Sequence, residues 1–142
     1  MAADGVARSG WDDLGKLILR VTVAVLLGLH GIAKLKGGIG WMFGMLGQYG
    51  IPSFVAYGVF VAEIVAPILL ILGILTRPAA LVIAFNMLMA ILLARRGDIV
   101  KINPQGGGWA IELEMFFLLA AVAIFFFGAG RYSLARRPGR WD

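Results

Sequence analysis

Residues 54–94 read FVAYGVFVAEIVAPILLILGILTRPAALVIAFNMLMAILLA, which is two long apolar runs with a short break between them. The break contains Gly73 and the sequence Thr76-Arg77-Pro78. Glycine ends helices readily, and proline is tolerated in the first turn of a helix, where its missing N–H leaves no bond unmade. Each run has enough apolar residues to cross the hydrocarbon core as a helix. The stretch therefore predicts a hairpin of two transmembrane helices.

Two further apolar runs lie on either side of this hairpin, so the sequence predicts an all-α integral membrane four-helix bundle. The predicted spans are residues 14–35, 54–75, 78–94 and 109–128. Residues 36–52 contain several glycines, Trp41 and Tyr49, and no charge after Lys36. Such a stretch suits a short interfacial or re-entrant segment between the first two helices. We find no internal repeat, and we expect one domain over residues 1–142.

The composition of the whole chain supports a membrane protein. Of its 142 residues, 61% are hydrophobic and only 15% are charged, with a mean hydropathy of +0.90. A soluble domain of this size needs more polar surface. No interleaved basic and aromatic patch of the nucleic-acid-binding kind is visible, so we expect no nucleic acid partner.

The residue types present limit the chemistry that this chain can carry alone. It has no cysteine and one histidine, so thiolate metal sites, Fe–S clusters and a haem held by two imidazoles are excluded. A haem held by His and Met is the one arrangement left open. One histidine with glutamates is a weak metal signal. We therefore expect no haem, Fe–S cluster or metal on this chain alone.

The distribution of basic residues predicts the orientation in the membrane. The first thirteen residues are polar, so the first apolar run is expected to be an uncleaved signal anchor. Four spans place both termini on one side, with eight basic residues there and five opposite. The eight are Arg8, Lys16, Arg20, Arg77, Arg131, Arg136, Arg137 and Arg140, against Lys34, Lys36, Arg95, Arg96 and Lys101. The positive-inside rule then favours cytoplasmic termini.

Several polar residues fall inside the predicted spans, where an ionisable side chain costs about 2.5–3.5 kcal/mol at mid-helix. His30 and Lys34 lie four residues apart in LLGLHGIAKLKGG, residues 26–38, on one face of the first helix. Glu63 lies near the middle of the second span and Asn86 at a similar depth in the third. The fourth begins near Glu112 and Glu114, about 200° apart around the helix axis.

These depths predict a polar site between the helices, with Glu63 and Asn86 beneath His30, Lys34 and one of the two glutamates. Which glutamate faces the bundle is left open. We take His30 and Glu63 as the candidate catalytic residues. The candidate substrate-binding residues are His30, Lys34, Glu63, Asn86, Trp109 and Glu112.

Each of these residues also has a structural interpretation. Lys34 can extend its ammonium to the headgroups, His30 can form an interhelical hydrogen bond that fixes packing, and Glu112 can interact with the dipole of the fourth helix. Pro67 removes the donor that would otherwise bond the carbonyl of Glu63. The resulting kink either makes room for a ligand or water, or only adjusts helix packing.

Five motifs of this chain resemble those of the DoxX family of small four-helix bacterial membrane proteins. The motifs are HGIAKL (30–35), GIP (50–52), AEIVAPILLILGILTRPAAL (62–81), GGGWAIEL (106–113) and GAGRYSL (128–134), within a similarity that covers residues 14–137. The resemblance implies a multi-pass protein of the bacterial inner (plasma) membrane that serves quinone-linked oxidation. It places the family's motif positions on Gly31, Lys34, Glu63, Arg77 and Glu112. Ala66-Pro67 stand where relatives often have Gly-Gly.

Three functions follow as hypotheses. In the first, the chain is the membrane subunit of a quinone-linked oxidoreductase: His30 bonds a quinone carbonyl, Lys34 stabilises charge and Glu63 relays protons. In the second, the chain is a non-catalytic anchor or assembly subunit that holds a partner oxidoreductase through residues 95–108 or its basic tail. The third is a small-molecule or proton transporter. Expected partners are the lipid bilayer and an oxidoreductase subunit or a second copy, and whether the chain is itself an enzyme stays open.

Overall fold

The computed structural model describes residues 10–135 and 139–142 of the chain, and most of these residues are helical. The helices are α1 (Gly10–Gly37), α2 (Gly40–Gln48), α3 (Ser53–Leu72), α4 (Thr76–Ala94) and α5 (Glu112–Phe127). In this part of the chain the β-structure is limited to one isolated antiparallel bridge, between Ile102 and Trp109. The prediction of an all-α fold is confirmed, with α2 as the short segment expected between the first two long helices.

The ends of the four predicted spans differ from the helix ends by at most four residues. Gly73, with φ of 70°, ends α3 before the predicted boundary. Trp109 pairs with Ile102 outside the helix, so α5 begins after the predicted start. Arg8, Arg136 and Arg137, which entered the charge count, lie outside the described residues.

The four longer helices pack around one apolar core. Its buried members are Val23, Ala24 and Leu27 of α1, Ala66 and Leu70 of α3, Ala79, Ala80, Ile83 and Met87 of α4, and Phe117, Ala121 and Ile124 of α5. Five of these residues are alanines, and such small side chains let helices approach closely. A second, smaller cluster joins α2 to α3 through Ile39, Leu46, Ala56 and Val59.

The helices have the length and surface of a membrane protein. Among the described residues, α1, α3 and α4 are long and apolar enough to cross a bilayer. Helix α5 has 16 residues, which cover roughly 24 Å at 1.5 Å per residue. Large apolar side chains such as Leu29, Phe85 and Phe116 are exposed on the outside of the bundle. This surface is suited to lipid, so the chain contacts the bilayer through its helices.

Helices α3 and α4 each contain an irregular turn. A π-helical turn at Val61–Val65 has Glu63 at its centre, and a second one at Ala90–Ala94 ends α4. Pro67 follows the first turn and supplies no N–H to the carbonyl of Glu63. The distortion that the sequence predicts at Pro67 is therefore a local widening of the helix around Glu63. Such turns are frequent at functional sites.

A buried arginine that the sequence analysis did not single out fixes the turn between α3 and α4. Arg20 is 0% exposed. Its Nη1 atom donates to the carbonyl of Leu70 at 2.5 Å and to that of Ile71 at 3.3 Å, while Nη2 donates to the carbonyl of Tyr132. These carbonyls end α3 and belong to the segment that follows α5. One side chain of α1 thus joins three parts of the chain.

Candidate functional site

An ion pair between α1 and α3 forms the polar centre of the structure. The Nζ atom of Lys34 lies 2.6 Å from Oε1 and 2.7 Å from Oε2 of Glu63. The glutamate is 2% exposed, whereas the lysine side chain is 28% exposed. Asn86 of α4 donates from Nδ2 to Oε1 of Glu63 at 3.1 Å. Three helices therefore each contribute one polar group, as the sequence predicts for these three residues.

The position of Glu63 depends on a glycine of α1. A Cβ atom added to Gly31 would lie 2.6 Å from the carbonyl oxygen of Glu63, closer than real contacts allow. The missing side chain lets α1 approach α3 at this level and brings Lys34, one turn further along α1, within reach of the carboxylate. Gly28 similarly faces Pro67, whose Cβ lies 4.0 Å from the place that a Cβ on Gly28 would occupy. Gly31 therefore provides the close helix contact at this level, whereas Gly28 and Pro67 are at ordinary van der Waals distance.

A cavity of about 530 Å³ begins at this polar group. Volumes of this size are typical of sites for small organic ligands. Its walls come from α2, α3 and α4 and are apolar apart from Lys34, Glu63 and Asn86. The apolar side chains of the walls include Trp41, Met42, Met45, Leu46, Ile51, Val59, Phe85, Met89 and Leu93. The cavity therefore has one polar end and a long apolar wall.

One side of the cavity, between α3 and α4, opens to the outside of the bundle. Val61, Val82 and Phe85 line it and are also 50%, 39% and 65% exposed. Helix α2 covers the other side, and the hydroxyl of Tyr49 donates to the carbonyl of Leu93 at 3.3 Å, which ties α2 to the end of α4. A molecule dissolved in the bilayer can reach such a cavity sideways, between α3 and α4.

His30 does not share this site, so the expectation that it lies with Lys34 and Glu63 is wrong. Its imidazole faces α5 and meets the ring of Phe117 edge-on, with 6.0 Å between ring centres. It lines a separate groove with leucines of α1 and α5. Residues four apart on a helix differ by about 40° in direction. Because of this difference and the greater length of the Lys34 side chain, His30 faces Phe117 of α5 and Lys34 faces Glu63 of α3.

Glu112 and Trp109 also lie outside the cavity, apart from Lys34, Glu63 and Asn86. Glu112 is exposed in the first turn of α5, and its N–H donates to the carbonyl of Trp109 at 3.0 Å. The Trp109 indole donates to the carbonyl of Ile99 at 2.6 Å. Glu114 is half-buried, with Oε1 3.7 Å from Nε of Arg95. Both carboxylates thus sit where the helix dipole favours negative charge.

Arg77 and Asp13 both lie away from the cavity. Arg77 lies at the start of α4, far along the helix from Asn86, and its backbone N–H donates to the carbonyl of Trp141 at 3.1 Å. Asp13, 4% exposed, accepts the backbone N–H of Arg131 at 3.1 Å. No three His, Cys, Asp or Glu side chains in residues 10–135 and 139–142 are grouped as metal ligands would be.

The fold and the site define a class: a small helical membrane protein with a lysine–glutamate pair at the end of an apolar, membrane-facing cavity. The model of the DoxX family matches residues 15–96, and the chain belongs to that family. The matched residues include all three members of the polar group. No solved structure matches the chain significantly.

Three relatives show how widely this sequence type occurs. A Bacillus subtilis protein with the name "Putative oxidoreductase CatD" is 30% identical over 78% of this chain and 76% of its own. An uncharacterized protein of Haemophilus influenzae is 36% identical over 82% of this chain and 84% of its own. An uncharacterized membrane protein of Mycobacterium tuberculosis is 29% identical over 96% and 93%.

Proposed function

We propose that this chain is the membrane subunit of a quinone-linked oxidoreductase system and that the cavity between α2, α3 and α4 binds the quinone ring. The observation that carries the proposal is the polar group Lys34–Glu63–Asn86 at one end of an apolar cavity of about 530 Å³. A quinone has the matching form, with an apolar ring and tail and two carbonyl oxygens that accept hydrogen bonds.

The donors present fit such a ring. The ammonium of Lys34 has three N–H groups, and the Asn86 amide has a second N–H beyond the one that bonds Glu63. Either can donate to a carbonyl oxygen. Quinone reduction takes up two electrons and two protons. A partner subunit or a soluble electron donor must supply the electrons. Glu63 and Lys34 are the groups of this chain that can accept or release a proton beside the ring.

Access from the bilayer supports a lipid-soluble ligand. The exposed side chains of Val61, Val82 and Phe85 surround the open side of the cavity, and they lie midway along α3 and α4 rather than at a helix end. A water-soluble substrate would need a path from an aqueous face, whereas a quinone with an isoprenoid tail is already dissolved in the hydrocarbon.

Quenching of tryptophan fluorescence tests this proposal, because Trp41 lines the cavity. The protein in lipid nanodiscs is titrated with decylubiquinone and with a naphthoquinone of equal tail length. We expect saturable quenching that Trp41→Phe removes, and at least tenfold weaker binding in Glu63→Gln and Asn86→Leu. His30→Phe serves as the matched control, since His30 lies in the other groove. Equal affinity in Glu63→Gln, Asn86→Leu and His30→Phe, or quenching that Trp41→Phe leaves intact or that never saturates, would contradict quinone binding in the cavity.

A second candidate function is an anchor or assembly subunit, and the loop between α4 and α5 favours it. Val100 and Ile102 are 91% and 70% exposed in this loop. Arg95 orders the loop by donating to the carbonyl of Ala110 at 2.6 Å. If the chain is such a subunit, replacing residues 99–105 with a Gly-Ser sequence abolishes co-purification of a partner oxidoreductase and leaves quinone quenching intact.

The proposed orientation has four spans and both termini in the cytoplasm, which places the loop between α4 and α5 outside. The cysteine-free chain allows a direct test with single cysteines at two exposed positions, Gln105 and Arg140. In intact cells, a membrane-impermeant maleimide should label Gln105→Cys and spare Arg140→Cys. The reverse pattern would show that the orientation is opposite.

A further inference from the structure

We infer that the groove around His30 is the contact between two copies of this chain, with the two imidazoles bonded to each other across a two-fold axis. The groove, about 380 Å³, lies between α1 and α5 on the outside of the bundle. Its lining consists of Leu26, Leu29, His30, Ala33, Leu113 and Phe117. This surface is separate from the cavity of the proposed function and does not depend on it.

His30 lies well inside the membrane-spanning part of α1. Gly31, its neighbour, packs directly on the backbone of Glu63, and Glu63 lies at the middle of α3, Ser53–Leu72. Phe117, which meets the imidazole, lies in the second turn of α5. His30 is nevertheless exposed. Its side chain therefore points out of the bundle within the membrane-spanning part of α1.

An imidazole at this depth needs a hydrogen-bond partner. Polar side chains within spans nearly always face protein or water, because hydrocarbon offers no donor or acceptor. Within residues 10–135 and 139–142, the His30 ring contacts the edge of Phe117, and no hydrogen bond to the imidazole is formed. The missing partner must come from a molecule that covers the groove.

A second copy supplies that partner at the correct depth. Two copies inserted in the same orientation are related by an axis along the membrane normal, so each residue of a symmetric contact meets residues at its own depth. Neutral histidine carries one donor nitrogen and one acceptor nitrogen. One N–H···N bond between two such rings pairs the donor nitrogen of one imidazole with the acceptor nitrogen of the other, and the five other residues that line the groove are apolar.

The surface beside His30 permits close approach of a second helix. Ala33 and Gly37 follow His30 on the same stripe of α1, four residues apart, and both are exposed. A Cβ at Gly37 would meet nothing within 4 Å. Small residues at this spacing are typical of contacts between transmembrane helices. The exposed leucines Leu26 and Leu29, at 48% and 58%, flank the stripe and would pack against the partner.

Disulfide cross-linking tests the inference in the full chain, which has no native cysteine. Ala33→Cys, with His30 intact, is oxidised in native membranes, and Leu81→Cys on the exposed face of α4 is the matched control. Cysteines meeting near a two-fold axis satisfy the short Cβ separation that a disulfide needs. We expect a covalent dimer as the main product for Ala33→Cys and only background for Leu81→Cys. A monomer for both, or equal cross-linking of both, would overturn the inference.

The role of the imidazole itself is tested by dilution in lipid with energy transfer between labelled copies. His30→Phe should weaken dimerisation roughly threefold to tenfold, the range expected for one hydrogen bond between membrane helices. His30→Asn, which keeps a donor and an acceptor, should restore most of it. If His30→Phe dimerises as well as the parent chain, the bond between imidazoles is excluded. If the parent chain is a monomer at every dilution, the groove is covered by something else and the inference fails.

Discussion

Lys34 bonds both carboxylate oxygens of Glu63, at 2.6 Å and 2.7 Å, across the contact of α1 with α3. The pair joins two helices at a level where neither charge would be stable alone. It also lies at the polar end of the cavity. A structural role and a ligand-binding role are therefore compatible in the same two residues.

Removing one member of the pair should destabilise the protein more than removing both. Lys34→Met leaves the carboxylate of Glu63, 2% exposed, without its cation, and we expect a loss of roughly 3 kcal/mol of unfolding free energy. Lys34→Met with Glu63→Leu replaces both charges by apolar groups and should recover most of it. Thermal unfolding in detergent, followed by circular dichroism, measures this. Equal loss in the single and double variants would show that the pair contributes little beyond packing.

Gly31 should not tolerate even one added methyl group. In Gly31→Ala, the new Cβ would meet the Glu63 carbonyl oxygen at 2.6 Å, so α1 and α3 must separate, at a cost of about 1–3 kcal/mol. Gly15→Ala in the same helix is the control, because its Cβ would meet nothing within 4 Å. The free energies of unfolding of the two variants, measured by chemical denaturation, should differ by that amount. Quinone quenching should weaken only in Gly31→Ala. Matching stabilities would contradict the close approach of the two helices.

Arg20 should hold the segment after α5 in place. Arg20→Met removes the side-chain donor from the carbonyls of Ile71 and Tyr132 and leaves the Leu70 carbonyl only the N–H of Gly73, at 3.3 Å. A buried carbonyl left without a donor costs roughly 1–3 kcal/mol. Arg20→Lys keeps the charge and loses the forked geometry, so it should rescue only in part. Hydrogen exchange at residues 131–135 should accelerate in Arg20→Met. Arg131→Ala is the control, since its backbone N–H, rather than its exposed side chain, forms the bond to Asp13.

Tyr49 should govern the motion of α2 over the cavity. Tyr49→Phe removes the hydrogen bond from the hydroxyl to the Leu93 carbonyl, 3.3 Å long and exposed, so global stability should change by less than about 1 kcal/mol. Faster hydrogen exchange in residues 40–48, with α3 and α4 unchanged, is the expected result. Faster exchange throughout the bundle would show that this contact supports the whole fold.

The sequence predicted the helices well because their signal is local. Seventeen uncharged residues between Arg77 and Arg95 can hardly form anything except a membrane helix, and Gly73 marks the turn before it. The depths of Glu63 and Asn86 followed from counting along the spans, and both reach the site as expected. Pro67 marked the distorted turn, although the sequence did not show that the distortion is a π-helical turn centred on Glu63.

The sequence was less reliable for the direction of side chains around each helix. His30 and Lys34 share a face by spacing, yet one meets Phe117 and the other meets Glu63. Arg20 gave no signal, because a basic residue in the first half of a span also suits the headgroup region. Its burial depends on carbonyls of Leu70 and Tyr132, which are 50 and 112 residues away in the chain.

By itself, therefore, the sequence determined where the four long helices lie in the chain, that they belong in a membrane, and that Lys34, Glu63 and Asn86 fall inside three of them. Hydrophobicity and helix rise are properties of neighbouring residues, so these conclusions need no knowledge of packing. Only the tertiary structure decided which neighbour each side chain faces. That choice depends on the rotation of each helix, which close contacts such as Gly31 against Glu63 set between residues distant in the chain.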